Sequence, residues 1–196
     1  MTHVDEGLVA PIVARFGAPA EWDTRREITA RDAATIRAPG DPTRRHDVTF
    51  AILAGDGRIV VIRKPQYPAG AWRIPSGGIR PGEAFAEGTA REAFEETGLE
   101  IELTGYPLVV RAVFTHRGHA DRWTTHVVTA RAAGGALDPR DIGEIDAARW
   151  MTLAELTGPV ADVLRATPAR LFHYRADLHD RVRPLIEGGA ARTLEG

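Results

Sequence analysis

The feature that most constrains this chain is a loop rich in proline and glycine, followed directly by an acidic segment of helical composition. Residues 75–82 read PSGGIRPG, and such a run predicts a loop whose backbone can approach a ligand closely. Residues 84–97 consist mainly of Ala, Glu, Phe and Arg, which favours a helix. Gly98 can adopt the left-handed conformation that ends a helix. The sequence therefore predicts a loop–helix unit over residues 75–98.

Three glutamates of this helix are predicted to lie close together. Glu92 and Glu96 are one turn apart and share a face, and Glu95 projects beside them. Neighbouring carboxylates repel one another by about 1 kcal/mol or more per close pair at a protein surface, and a divalent cation removes that repulsion. Oxygen ligands without cysteine indicate Mg²⁺ or Mn²⁺ rather than Zn²⁺. The alternative, in which the three side chains form a solvated helix face, stays open at this point.

The other side chains of the segment have structural interpretations. Arg91 can pair with one of the glutamates and fix its rotamer. We expect Phe85, Thr89 and either Ala93 or Phe94 to face the core.

Composition restricts the class of protein. The chain has 196 residues, with 43% hydrophobic residues, 27% charged residues and a formal net charge of −2, as in an ordinary globular protein. This charge balance gives no reason to expect general nucleic-acid or membrane binding. Because cysteine is absent, disulfides and thiolate chemistry are excluded. The N-terminal segment contains the acidic residues Asp5 and Glu6 and lacks the apolar core of a signal peptide, so a cytoplasmic location is expected.

Apolar periodicity predicts an α+β fold. The N-terminal extension, residues 1–45, shows helical spacing over 6–16 and 31–36 and ends at a charged, turn-rich boundary, Asp41–Arg45. The extension either covers one side of the sheet or packs against a second subunit, so a homodimer is one expectation. Residues 46–157 form the predicted core, and residues 158–196 a helical tail. The predicted strands are 47–53, 58–63, 101–103, 108–115, 124–131 and a short strand ending at 149–150.

Residues 77–99, GGIRPGEAFAEGTAREAFEETGL, resemble the Nudix box, G-x5-E-x7-R-E-U-x-E-E-x-G-U, in which U is a bulky aliphatic residue. Ala93 is smaller than the residue usual at its position. The chain is therefore identified as resembling the Nudix hydrolases, without a sub-family. The resemblance implies an α/β/α sandwich with a mixed β-sheet over about residues 46–157. The positions that demand one residue type are all met: Gly77, Glu83, Arg91, Glu92, Glu95, Glu96 and Gly98.

The resemblance also implies roles for individual residues. Metal ions would be held by Glu92, Glu95, Glu96 and the Gly77 carbonyl. Arg63, Lys64 and Arg73 are candidates for binding phosphates, and Tyr67 for stacking on a nucleobase. Trp72 fits better in the core. The base that accepts a proton from water is left open among Glu83, Glu95 and Glu144, and the catalytic candidates are Glu83, Glu95, Glu96 and Glu144.

The expected function is that of a Mg²⁺- or Mn²⁺-dependent Nudix pyrophosphohydrolase. Its substrate class would be a nucleoside diphosphate linked to another moiety, such as a nucleotide sugar or an ADP-ribose-like compound, or a nucleoside triphosphate. One alternative is a non-catalytic Nudix-fold sensor that binds a nucleotide. An isoprenoid-diphosphate isomerase would need a catalytic cysteine, which this chain lacks.

His126, inside an alternating strand, is expected to be packed, and His116 and His119 are expected to lie in a loop.

Overall fold

Seven strands form one mixed sheet in the part of the chain that the structure, a computed structural model, describes, residues 6–37 and 45–194. The strands are β1 (Ala20–Glu27), β2 (His46–Leu53), β3 (Ile59–Arg63), β4 (Ser76–Gly77), β5 (Leu99–His116), β6 (His119–Gly135) and β7 (Ala147–Met151). Their spatial order is β1-β5-β6-β2-β3-β7, and β4 pairs with β2. The pairs β1–β5 and β2–β6 are parallel. The predicted mixed sheet is confirmed.

Helices cover both faces of this sheet and complete an α/β/α sandwich. They are α1 (Glu6–Phe16), α2 (Ala30–Ile36), α3 (Phe85–Thr97), α4 (Leu153–Glu155), a π-helical turn (Leu156–Val160), α5 (Ala161–Ala166) and α6 (Arg170–Leu194). Within the described ranges, no helix combines the length and the apolar character needed to cross a membrane.

Strand β2 lies between β6 and β3 and is buried on both faces. Its alternate side chains enter two separate cores, because successive residues of a strand point to opposite faces. Phe50 and Ile52 pack with α1 and α3, whereas Ala51 packs with α5 and α6. The short strand β4 pairs with the beginning of β2, and this pairing attaches the Pro/Gly-rich loop to the centre of the sheet.

The N-terminal extension contributes a strand as well as helices. The two predicted helices are present as α1 and α2, but β1 was not predicted. Strand β1 reads AEWDTRRE and has no apolar run, because it is an edge strand that buries mainly Trp22. Ile12 of α1 packs in the same core cluster as Phe85, so α1 covers one face of the sheet. The predicted boundary at Asp41–Arg45 lies outside the described residues except for Arg45.

The β5–β6 hairpin corrects two sequence predictions. The strands predicted at 101–103 and 108–115 are one strand, β5, whose pairing with β6 shifts register between Leu103 and Leu108. His116 and His119 do not lie in a long loop. They are paired at the end of the hairpin, which turns through Arg117 and Gly118 with φ values of 48° and 80°. Such a two-residue turn matches the twist of the strands it joins.

His126 on β6 is buried, as the sequence predicted. Its Nδ1 lies 2.5 Å from the Tyr106 hydroxyl oxygen, and its Nε2 has no hydrogen-bond partner within the described ranges. Burial, together with the charge of nearby His46, lowers the pKa of His126 to about 4. His126 therefore remains neutral in the folded protein at neutral pH.

We predict that His126 makes the protein sensitive to mild acid. As the pH falls from about 6.5 towards 4, the unfolded chain binds a proton at this histidine and the folded chain does not, so the free energy of unfolding decreases. The variant His126→Gln lacks this titrating group. In this pH range its free energy of unfolding should therefore change less steeply with pH, by up to about 1.4 kcal/mol per pH unit. Urea unfolding at several pH values measures the slope. His119→Gln, at the exposed hairpin end, is the control, and equal slopes in all three proteins would contradict the prediction.

Candidate active site

The loop and helix predicted from the sequence meet as one unit. Gly98 ends α3 in the left-handed conformation, with φ of 77°, and a Cβ at this position would overlap the backbone of Asp138. A Cβ at Gly77 would overlap the Glu92 carboxylate. Glycine is therefore required at Gly98 by both backbone conformation and space, whereas at Gly77 it allows the Glu92 carboxylate to lie against the backbone.

The carboxylate of Glu96 joins the loop to the helix. Glu96 is 4% exposed. Its Oε2 accepts a hydrogen bond of 2.9 Å from the backbone N–H of Ser76, and its Oε1 accepts one of 3.3 Å from Arg73. Burial raises the pKa of Glu96 to about 7, the negative charges of Glu144 and Glu92 add to this shift, and the positive charges of Arg73 and Lys64 oppose it. A bound cation would favour the charged form of Glu96 and so lower this pKa.

Arg91 holds the other glutamates, and the pairing predicted from the sequence is present. Its Nε donates to Glu83 at 2.7 Å, and its Nη1 donates to Glu92 at 2.9 Å and to Glu95 at 3.0 Å. Its Nη2 donates to the Gly78 carbonyl at 2.9 Å. The hydrogen bond from Arg91 is the main reason that the pKa of Glu83 falls to about 2. Arg91 thus supplies positive charge to three carboxylates at once.

The donor chemistry of this unit fits a hard divalent cation, although the carboxylates do not converge. Across residues 6–37 and 45–194, no three acidic or histidine side chains are grouped as a metal cluster. Glu92 and Glu95 are paired with Arg91 and Glu96 with Arg73. The available ligands are carboxylate and carbonyl oxygens, which Mg²⁺ and Mn²⁺ prefer. The space that Gly77 leaves for the Glu92 carboxylate is consistent with a built ligand site.

A cavity of about 1190 Å³ opens beside this unit. It is lined by Lys64, Gly77, Gly78, Glu92 and Glu144. Residues of α2 and of the first turns of α6 also line it. The volume exceeds the range of about 300–1,000 Å³ typical of small-molecule sites, so the cavity has room for more than a diphosphate.

The predicted substrate-binding residues have different positions relative to this cavity. Tyr67 and Arg73 line it; Arg73 is buried and donates to the Tyr67 hydroxyl at 3.1 Å. Arg63 is not among the lining residues and instead pairs with Asp146 and lies over the Trp72 ring. Trp72 is in the core, as predicted.

Of the predicted catalytic residues, Glu144 lines the cavity, whereas Glu83, Glu95 and Glu96 lie outside its lining.

The loop that carries Glu144 is attached to the end of α3. The backbone N–H groups of Arg140 and Asp141 both donate to the Glu95 carbonyl, at 2.9 and 3.0 Å. Glu144 itself forms an ion pair with Lys64. These contacts bring a carboxylate that is distant in sequence into the lining of the same cavity as Glu92.

The sequence did not predict the polar group that Asp47 and Arg175 form in the cavity lining. Asp47 is the second residue of strand β2 and forms an ion pair with Arg175 of α6. Burial acts to raise the pKa of Asp47, but the charge of Arg175 and hydrogen bonds from Thr125, Trp123 and Arg175 outweigh it, so the pKa is lowered. A signal was available for Asp47, since it is an acidic residue directly before a run of buried apolar side chains. Nothing in the sequence around Arg175 indicates that this arginine lines the cavity, in contrast to other arginines of the tail.

Comparisons with known proteins agree with this site. A family model described as the NUDIX domain matches residues 43–174. A MutT-like protein of Streptomyces ambofaciens is 31% identical over 60% of this chain and 71% of its own length. The 8-oxo-dGDP phosphatase NUDT18 of Homo sapiens is 29% identical over 78% of this chain and 48% of its own length. The RNA pyrophosphohydrolase of Caulobacter vibrioides is 27% identical over 76% of this chain and 89% of its own length.

The matched residues cover more than half of the chain, and the chain belongs to the Nudix family. It is a Nudix pyrophosphohydrolase, which confirms the class predicted from the sequence. The chain spans about half the length of human NUDT18. The names of these relatives refer to different substrates, so the substrate of this chain has to be argued from its own cavity.

We predict that Arg91 stabilises the metal-free protein. Arg91→Ala would leave Glu83, Glu92 and Glu95 without their shared cation, and the free energy of unfolding should fall by about 2 kcal/mol or more. Arg80→Ala is the matched control, because the exposed Arg80 side chain pairs only with Glu95 in this group, and the hydrogen bond from the Arg80 backbone N–H to Glu83 is kept in the variant. The effect of this change should stay below about 1 kcal/mol. Urea unfolding in EDTA measures both, and equal losses would contradict a special role for Arg91.

Proposed function

We propose that this chain hydrolyses the diphosphate linkage of a nucleoside diphosphate joined to another moiety, or of a nucleoside triphosphate. The observation that carries the proposal is that residues of the Nudix loop–helix unit line a cavity large enough for the rest of a nucleotide. Water would attack one phosphorus, the bond from this phosphorus to the bridging oxygen would break, and the products would be a nucleoside monophosphate and a second phosphorylated compound.

The residues in and beside the loop–helix unit divide into two chemical groups. Gly77, Glu92, Glu95 and Glu96 are the proposed oxygen ligands of Mg²⁺ or Mn²⁺. A bound ion of this kind would neutralise charge on the diphosphate and make water more acidic. Lys64 lines the cavity, and its proposed role is to bind a phosphate oxygen. Arg73 donates a hydrogen bond to Glu96, so its proposed role is to position Glu96 and not to contact a phosphate directly.

Glu144 is the proposed acceptor of the water proton. Glu83 is a weak candidate, because Arg91 holds its pKa at about 2 and a base of that strength accepts protons poorly near neutral pH. Glu95 is held by both Arg91 and Arg80. Glu144 is also ion-paired, with Lys64, but unlike Glu83 and Glu95 it lines the cavity, and its side chain is 52% exposed. It can therefore approach a water molecule at the diphosphate.

We expect hydrolysis to depend on a divalent cation. The assay measures phosphate or nucleotide release from nucleotide sugars, ADP-ribose, nucleoside triphosphates and 5′-triphosphorylated RNA. Activity should vanish in EDTA and return with Mg²⁺ or Mn²⁺, because the three glutamates repel one another and the diphosphate unless a cation is bound. Full activity in EDTA would contradict the metal requirement, and no release from any compound with either ion would contradict the proposed reaction.

We predict that Glu144→Gln lowers kcat by about 10²-fold or more without unfolding the protein. A positioned base contributes roughly 10²–10⁴-fold to a rate, whereas loss of the exposed Lys64–Glu144 ion pair costs less than about 1 kcal/mol of stability. Glu87→Gln is the control, because Glu87 is an exposed residue in the first turn of α3. Steady-state kinetics are measured beside the melting temperature. A normal kcat in Glu144→Gln would show that Glu144 is not the base in this reaction.

A further inference from the structure

One face of α6 lies against the glycine-rich loop. Arg175 and His179 are one helical turn apart on α6 and therefore share a face of this helix. The Ile74 N–H donates to His179 Nε2 at 3.4 Å, and Arg175 Nη1 donates to Thr49 Oγ1 at 3.5 Å. Thr49 of β2 is the residue that pairs with Ser76 of β4. These contacts place Arg175 directly beside β4.

The guanidinium groups of Arg175 and Arg73 are neighbours on the same face of the sheet. Paired residues of adjacent strands point to one face, so the Thr49 and Ser76 side chains lie side by side, with Cα atoms about 5 Å apart. Ser76 Oγ accepts a hydrogen bond from Arg73 Nη1 at 2.7 Å, and Thr49 Oγ1 accepts the one from Arg175. Burial lowers the pKa of His179 to about 3, and the positive charges of Arg175 and Arg73 add to this shift. Two arginines are therefore close together beside the loop.

Arg73 has little hydrogen-bonding capacity left for a substrate, although the sequence predicted that it binds phosphate. Its side chain is 4% exposed. Its Nε donates to the Tyr67 hydroxyl at 3.1 Å, its Nη1 to the Ile74 carbonyl at 3.1 Å and to Ser76, and its Nη2 to Glu96 at 3.3 Å. A guanidinium has five N–H donors, and these hydrogen bonds inside the protein leave Arg73 a structural role.

Arg175, in contrast, has N–H donors available for a substrate. Its side chain is 22% exposed, and it lines the cavity together with residues 76–78. Its Nη2 donates to Asp47 Oδ2 at 3.0 Å. Within residues 6–37 and 45–194, Asp47 and Thr49 are the acceptors that it contacts. Two of the five N–H groups of the guanidinium are thus used, and the others remain for a ligand.

Asp47 holds this guanidinium in a fixed orientation. Asp47 is 4% exposed, and its Oδ1 accepts hydrogen bonds from Trp123 Nε1 at 2.9 Å and from Thr125 Oγ1 at 2.6 Å. An arginine that is already oriented loses less side-chain entropy when it binds a ligand. The negative charge of Asp47 also weakens the attraction of Arg175 for free anions. Arg175 is therefore suited to donate hydrogen bonds to a phosphate group that is bound beside the loop.

We propose that Arg175 donates hydrogen bonds to phosphate oxygens of the substrate's diphosphate, so that α6 supplies a phosphate-binding residue from outside the Nudix box. This proposal rests on the proposed function, because it takes the diphosphate to be the group that is bound beside residues 76–78. The planar fork of a guanidinium matches two neighbouring phosphate oxygens. The sequence predicted this role for Arg63 and Arg73, but Arg63 lies outside the cavity lining and the N–H donors of Arg73 are occupied.

The test measures binding without hydrolysis. Calorimetric titration in the presence of Mg²⁺ uses methylenediphosphonate, in which a carbon atom replaces the bridging oxygen of a diphosphate, so that water cannot cleave it there. The compound has no base and no sugar, and its binding therefore reports on the phosphate-binding groups alone. The unmodified protein should bind methylenediphosphonate, and absence of binding would overturn the proposal.

The decisive variant is Asp47→Asn/Arg175→Gln, which replaces the ion pair by two amides that can hydrogen-bond to each other and leaves no unpaired buried charge. Its affinity for methylenediphosphonate should fall about tenfold, the scale of one charge-assisted hydrogen bond. Loss of the Asp47 charge would by itself strengthen the binding of an anion, so weaker binding has to be ascribed to Arg175. Unchanged or tighter binding by this double variant would contradict the proposal.

Arg175→Lys tests the planar fork and decides the question if the double variant does not fold. Lysine keeps a positive charge beside Asp47 but binds phosphate as a point charge, so the affinity should fall about threefold. Arg181→Gln is the control, because Arg181 lies on the same helix over the Trp22 ring and is not among the cavity-lining residues. Melting temperatures are measured for all variants. Unchanged affinity in Arg175→Lys, or an equal loss in Arg181→Gln, would rule out a phosphate contact of Arg175.

The same variants separate this inference from the proposed function. Binding of methylenediphosphonate that depends on Arg175, without hydrolysis of any diphosphate, would support the inference and contradict the enzymatic proposal. Hydrolysis with equal kcat/KM in the double variant and in the unmodified protein would support the enzymatic proposal and contradict the inference.

Discussion

The burial of the Glu96 carboxylate links three parts of the molecule that must keep a fixed relation for the site to exist. Glu96 belongs to α3, but its hydrogen-bond donors, Arg73 and the Ser76 N–H, belong to the preceding loop. The loop is in turn joined to the sheet, because the backbone of Arg73 pairs with Ile62 and Ser76 pairs with Thr49. A buried carboxylate without these donors would be strongly unfavourable. The loop, the helix and the sheet therefore adopt this arrangement together.

The remaining carboxylates of the loop–helix unit are stabilised in a different way. Glu83, Glu92 and Glu95 share the guanidinium of Arg91, so positive charge from the protein itself balances these carboxylates in the absence of a cation. The divalent ion proposed to bind Glu92 and Glu95 would compete with Arg91 for them, and its binding would require these side chains to change partners.

Segments outside the loop–helix unit also line the cavity. The extension supplies α2 and the tail supplies α6. The two helices are connected because Asp32 accepts hydrogen bonds both from the Thr29 N–H at the start of α2 and from the Arg170 N–H at the start of α6. The same carboxylate thus caps one helix and positions the next.

The sequence by itself determined the loop–helix unit, since that unit depends on local properties. Glycine at Gly98 allows the left-handed end of the helix, and the spacing of Glu92 and Glu96 puts them on one face whatever surrounds them. The central strands were also predictable, because their side chains alternate between two apolar cores. Strand β1 was not, because an edge strand buries few side chains and carries no apolar pattern. Tertiary structure alone decided that Glu144 lies beside Glu92 and that Arg175 meets Asp47, because those contacts join residues 52 to 128 positions apart and arise from how the sheet and α6 pack, which no local pattern encodes.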